Sequence, residues 1–170
     1  IEAYNPLTGE GMVYYIGSGT AGHEIPHSQG VEIDWVETKN LTSAWNWKAT
    51  REGGKLLVLN DTLAESTDTT SYTSLTPTSI DVNTNVSLNE ADSEHIMYYK
   101  ANSQTTSIGT YTGTGAAGNF VPTYDSEGNP RKPRRVIMKR IDSTGGWVVV
   151  DSERGVSTSS DPYVYLNLSN

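Results

Sequence analysis

Five consecutive residues, His23-Glu24-Ile25-Pro26-His27, fit the H-E-x-x-H pattern of zinc proteases. That chemistry needs a helix, so that two histidines one turn apart hold Zn²⁺ while the glutamate serves as general base. Pro26 falls inside the required helix, where it removes a backbone hydrogen bond and clashes with the turn before it. The run Gly17 to Gly22 ahead of it fits G-x-G-x-x-G, and so does Gly113 to Gly118. A dinucleotide site needs that loop to open a helix whose N-terminus receives the pyrophosphate. Each loop runs instead to a proline, Pro26 or Pro122, in a β-rich context. Both are expected to be turns between strands, with no metal and no cofactor.

No other catalytic constellation emerges. Histidine occurs only at His23, His27 and His95, and no serine stands in a G-x-S-x-G elbow. Asp125-Ser126-Glu127-Gly128-Asn129 lacks the spacing and terminal glutamate of an EF-hand loop, so a turn is expected there. The chain is therefore expected not to be an enzyme.

Two surfaces could bind. Trp35, Trp45 and Trp47 cluster, and exposed tryptophan stacks on the apolar C–H faces of sugars. Trp147 repeats Trp47, so that pair is expected to anchor cores. Trp45 would share a strand face with Trp47, and Trp35 has no tryptophan counterpart. Trp35 and Trp45 are the glycan candidates. Six of the twelve cations lie between Arg131 and Arg140. Of these, Arg131, Lys132, Arg134 and Arg135 are candidates for an anionic contact or a subunit interface. The plainer alternative is a solvated loop whose charges guard a strand edge. Asn40, Asn60, Asn85 and Asn167 open N-x-S/T matches, which matter only in a eukaryotic secretory pathway.

The elements that must position these residues repeat. Tyr15 to Gly22 returns as Tyr111 to Gly118, and Ile25-Pro26 as Val121-Pro122. After a small insertion Lys39 matches Lys139, Ser43 matches Ser143, and Trp47 matches Trp147. Leu57-Val58-Leu59-Asn60 then matches Val164-Tyr165-Leu166-Asn167. A repeated element more often builds architecture than a single active site. The expected organisation is a lead-in at 1–13, a first β module at 14–110, and a second module at 111–170 that lacks counterparts of the strands after Asp61. With no initiator methionine at Ile1, the chain is expected to be a fragment or a processed product, cut from a longer array.

With 170 residues, no cysteine and abundant Ser, Thr, Asn and Gly, the composition suits short strands with polar outer faces and aromatic anchors. The net charge of −8 argues against a nucleic-acid binder, and no apolar run is long enough to insert in a membrane. Strands are expected over 12–16, 33–39, 55–59, 78–82, 95–101, 136–141 and 147–150. The 55–59 run is apolar throughout, as in a strand buried on both faces. At most one helical turn is expected, at Leu63-Ala64-Glu65-Ser66. The fold class is all-β, an antiparallel β-sandwich of jelly-roll or lectin-like kind with an internal repeat.

Gly17-Ser18-Gly19-Thr20-Ala21-Gly22-His23-Glu24-Ile25-Pro26-His27-Ser28, then Thr38-Lys39-Asn40 and Trp45-Asn46-Trp47, resembles a repeat of large bacteriophage structural proteins. Those proteins come chiefly from marine and cyanobacterial viruses and are of tail-fibre-like type. Thr76-Pro77-Thr78-Ser79, Lys139 to Trp147 and Asp151 to Gly155 are similar to later parts of the same proteins. The resemblance implies a virion structural protein in the extracellular particle, without catalytic residues. It implies a tail-fibre or appendage module in contact with the host surface. Implied partners are other virion proteins, further copies of the chain as a homotrimer, and a host surface glycan. The alternative is a carbohydrate-binding module of a secreted or virion-associated protein.

Overall fold

The structure is a computed structural model that describes residues 1–155 and 162–168. Its strands are β1 (Glu2–Asn5), β2 (Glu10–Ile16), β3 (His23–Pro26), β4 (Trp35–Asn40), β5 (Lys48–Thr50), β6 (Lys55–Val58) and β7 (Ser66–Thr67). There follow β8 (Tyr72–Leu75), β9 (Ser79–Val82), the helical turn α1 (Val86–Asn89) and β10 (Glu94–Lys100). The last are β11 (Arg135–Lys139), β12 (Trp147–Asp151) and β13 (Val164–Tyr165). A seven-stranded sheet runs β1-β2-β10-β4-β5-β6-β7, and two three-stranded sheets run β3-β9-β8 and β11-β12-β13. Every pairing is antiparallel, so the chain is all-β as its composition led one to expect.

Period-two alternation decides which residues meet. On β4 the side chains of Val36, Thr38 and Asn40 are buried on one face, and on β10 those of His95, Met97 and Tyr99 are. They join Ile25, Ile80, Val82, Tyr72 and Leu88, contributed by the β3-β9-β8 sheet and α1, in the main core. The opposite face of the large sheet carries Trp35, Ala49, Leu57 and Leu59, which pack with Trp147 and Ile141 in a second cluster. Strand β6 serves both, Leu56 in the first and Leu57 in the second. Its unbroken apolar run is the sequence mark of that double burial.

The repeat is real in three dimensions, but only in part. In the first copy Thr38 lies opposite Lys48, and Lys48 opposite Val58. In the second, Met138 lies opposite Val148, and Val148 opposite Tyr165. These are equivalent positions, so both meanders keep one register. The same side chain locks each: Trp47 N–H donates to Asn60 Oδ1 at 3.1 Å, and Trp147 N–H to Asn167 Oδ1 at 2.9 Å. The glycine-rich blocks diverge. Gly17 to Gly22 joins β2 to β3, pinned by the buried Asn89, which accepts from Ser18 N–H at 2.7 Å and donates to Thr20 O at 2.7 Å. Residues 111–120 form no strand and are exposed throughout.

Several expectations need correction. The lead-in 1–13 is no separate segment, since β1 and β2 are built into the seven-stranded sheet and β2 crosses the boundary at 13. The helical turn is at Val86–Asn89, not at Leu63–Ser66. There Asn85 caps it by accepting from Ser87 N–H, a preferred N-cap signal. Strands β1, β3, β5, β7, β8 and β13 lie outside the expected segments. Residues 156–161 and 169–170 of the expected second module lie outside the described residues.

Two predictions follow from the cores. Truncating Trp147 to Ala should cost about 3–5 kcal/mol, the usual range for a buried tryptophan. It should strip hydrogen-exchange protection from β11 and β12 while β10 keeps its own. The second concerns pH. His95 is fully buried and stacked on Tyr15 at 5.0 Å, with Nδ1 on Ser93 O at 3.0 Å. Burial holds its pKa below the ordinary imidazole value, against that hydrogen bond. Since the folded pKa is the lower one, stability is complete above about pH 6.5 and falls as acid protonates the unfolded chain first. Urea melts between pH 7 and 5 should show this decline, and His95→Phe should flatten it.

Candidate functional site

Neither the H-E-x-x-H run nor the two glycine-rich runs stand in the helical context that their chemistry needs. His23 to Pro26 form strand β3 and His27 follows it directly, so four residues of extended chain, about 13 Å, separate the two histidines. His23 Nδ1 meets Asn89 Oδ1 at 2.9 Å, and His27 Nε2 meets Thr76 O at 3.0 Å. Among the described residues no cluster of three or more His, Asp or Glu could hold a metal ion. Asp125 accepts from Glu127 N–H and Asn129 N–H, closing a turn. The four N-x-S/T asparagines are structural: Asn40, Asn60 and Asn167 brace loops or meanders, and Asn85 caps α1.

The tryptophans fall in unexpected places. Trp35 is half-buried, edge-on to Trp147 at 5.8 Å, and so belongs to the second cluster. Trp45 is exposed, but it lies in the loop between β4 and β5 and not on a strand shared with Trp47. Trp147 is a core anchor, 4% exposed, with Nε1–H donating to Val58 O at 3.2 Å. Trp47 is not. It is half-buried, and its ring lies near-parallel to that of Tyr98 at 6.3 Å and 27°. Arg131 is half-buried, while Lys132, Arg134 and Arg135 are exposed. Together they lead into β11, whose outer edge has no strand beside it among the described residues.

Trp47 and Tyr98 line a groove of about 420 Å³ completed by Glu37, Leu59, Asn60 and Leu166. That volume is in the usual range of ligand pockets, about 300–1,000 Å³. Register explains the assembly. Glu37 on β4 is directly opposite Tyr98 on β10 and opposite Ala49 on β5. Directly opposed residues share a face, so Glu37 and Tyr98 meet on the side of the sheet that carries Ala49, which is itself buried under Trp147. Leu166 comes from the second copy, so the groove is walled by both copies.

Its electrostatics are unusual for a sheet face. Burial pushes the Glu37 carboxyl above its ordinary pKa, opposed by the Lys100 ammonium, which is paired with Glu10 at 3.7 Å. Among the described residues no hydrogen bond or ion pair engages Glu37, the Trp47 indole N–H or the Tyr98 hydroxyl. Sequence reasoning missed Glu37 and Tyr98, because they meet only through a pairing 61 residues apart (98 − 37).

Residues 3–170 match a family described as Domain of unknown function (DUF7483). The chain belongs to this family. No curated protein and no solved structure gives a match.

A carboxyl with a raised folded pKa destabilises the fold above that pKa and has no effect below its ordinary value. Glu37→Gln should therefore melt at a higher temperature than the parent at pH 7 and at the same temperature near pH 4. Thermal melts at the two pH values check the sign.

Proposed function

We propose that the chain is a non-catalytic structural module of a bacteriophage appendage of the tail-fibre kind, carried in the virion. The observation that supports this most is the second meander, laid in identical register and fastened to the first by Trp147. Stacked copies of one unit that share a core suit a load-bearing array better than a single reaction centre. On this reading the sheets are layers of a lectin-like or jelly-roll sandwich. The resemblance of Gly17 to Ser28 and of Lys139 to Trp147 to phage structural repeats points the same way.

Assembly follows from an open edge. Strand β4 has partners on both sides, β10 and β5, whereas among the described residues its counterpart β11 has only β12. The centre of β11 is apolar, Val136-Ile137-Met138, with Ile137 42% exposed and cations at both ends. Such an edge invites another strand, and a symmetric pairing of two β11 strands would oppose like charges. We therefore place the contact between β11 of one copy and an acidic surface of the next, in a homotrimer.

Light scattering should give a trimeric mass, with a contact burying more than about 1,000 Å² in total. Ile137→Lys, which adds a charge to the edge, should lower the mass while circular dichroism stays unchanged. A strictly monomeric parent at high concentration, still folded, would overturn the proposal.

A further inference from the structure

We infer that the groove between Glu37, Trp47 and Tyr98 is a binding site for a neutral saccharide. The inference stands apart from the assembly proposal, which uses a different strand. It begins with a contrast in how aromatic residues spend their polar atoms. Tyr15 donates to Leu88 O, Tyr72 to Thr38 Oγ1, Tyr99 to Glu2 Oε1 and Trp147 to Val58 O. Those rings build cores, and their polar atoms are satisfied, as burial requires. At Trp47 and Tyr98 the indole N–H and the hydroxyl are unspent, and the unpaired Glu37 carboxylate lies across from Tyr98. Asn60 is different, with its amide committed to Trp47 N–H and Asn46 Oδ1, so it shapes the wall without serving as a ligand group.

Two ring faces with one N–H donor, one hydroxyl and one strong acceptor match a pyranose. Its C–H face packs on the rings, and its hydroxyls donate to Glu37 and accept from Trp47. An anionic ligand is disfavoured by Glu37 and by the net charge of −8. A cation would be drawn to Glu37, but near-parallel rings 6.3 Å apart form no enclosing cage. The glycan candidates Trp35 and Trp45 are not part of this site. Trp35 is occupied by Trp147, and Trp45 lies outside the groove lining.

The test is ligand-observed saturation-transfer NMR on the whole chain, with methyl glucoside, methyl galactoside, methyl mannoside and N-acetylglucosamine as probes. Galacturonic acid and choline supply the acidic and cationic arms. At least one neutral sugar should bind saturably, with Kd at or below about 1 mM, and beyond both charged probes. Glu37→Gln, which keeps the shape, should weaken it about tenfold, and Tyr98→Phe should weaken it less. Trp47→Ala should abolish it, and Trp45→Ala should leave it unchanged. Circular dichroism on each variant separates lost binding from lost fold. Failure of all four neutral sugars to saturate overturns the inference. So does preference for choline or galacturonic acid, or binding that survives in both folded Glu37→Gln and folded Tyr98→Phe at full strength.

Discussion

The fold depends on covering both faces of one sheet. A strand that turns Leu56 to one side and Leu57 to the other cannot leave either face in water without losing about 1.5–3 kcal/mol of burial per side chain. The β3-β9-β8 sheet and α1 cover the first face from within residues 13–101. The second face takes much of its cover from the later meander. Trp147 supplies it, and the meander that carries Trp147 is held further by Gly145 N–H on Thr62 O and Glu65 N–H on Ile141 O. The two copies are thus one packed unit and not beads on a string.

The cover is incomplete, and the groove is what remains. Trp147 reaches Ala49, Leu57 and Trp35, while Leu166 reaches only the rim near Trp47. Beyond that rim, Glu37 and Tyr98 stay partly wetted. Position on the sheet, more than residue type, decides which side chains pack and which remain available.

That distinction also sets what could be read from the chain alone. The all-β class, the two-faced strand at Lys55–Val58 and the meander repeat were legible, because alternation and self-similarity are local signals. The core role of Trp147 followed from the repeat. The same argument failed for Trp47, because equivalence fixes a backbone task and leaves exposure open. Both tryptophans donate the backbone N–H to an asparagine. Trp147 is buried in a core cluster, whereas Trp47 stays half-buried beside Tyr98. The pairing of Glu37 with Tyr98 needs the register of β4 on β10, which no window of sequence contains. The Val86–Asn89 turn was within reach through the Asn85 cap, but its four residues show too little periodicity to stand out.

Where the copies differ is more informative than where they agree. Position 37 carries a half-buried glutamate, and its equivalent, Ile137, is an apolar side chain 42% exposed at a sheet edge. Exchanging the two residue types would satisfy each site better: the buried face would lose a carboxyl that costs desolvation, and the edge would gain a guard. Natural sequences are consistent across levels except where another demand overrides packing, and such breaches concentrate at functional surfaces. One backbone position therefore breaks the folding rules twice, in opposite directions. Each breach falls where the described residues leave something open, a groove at Glu37 and a strand edge at Ile137.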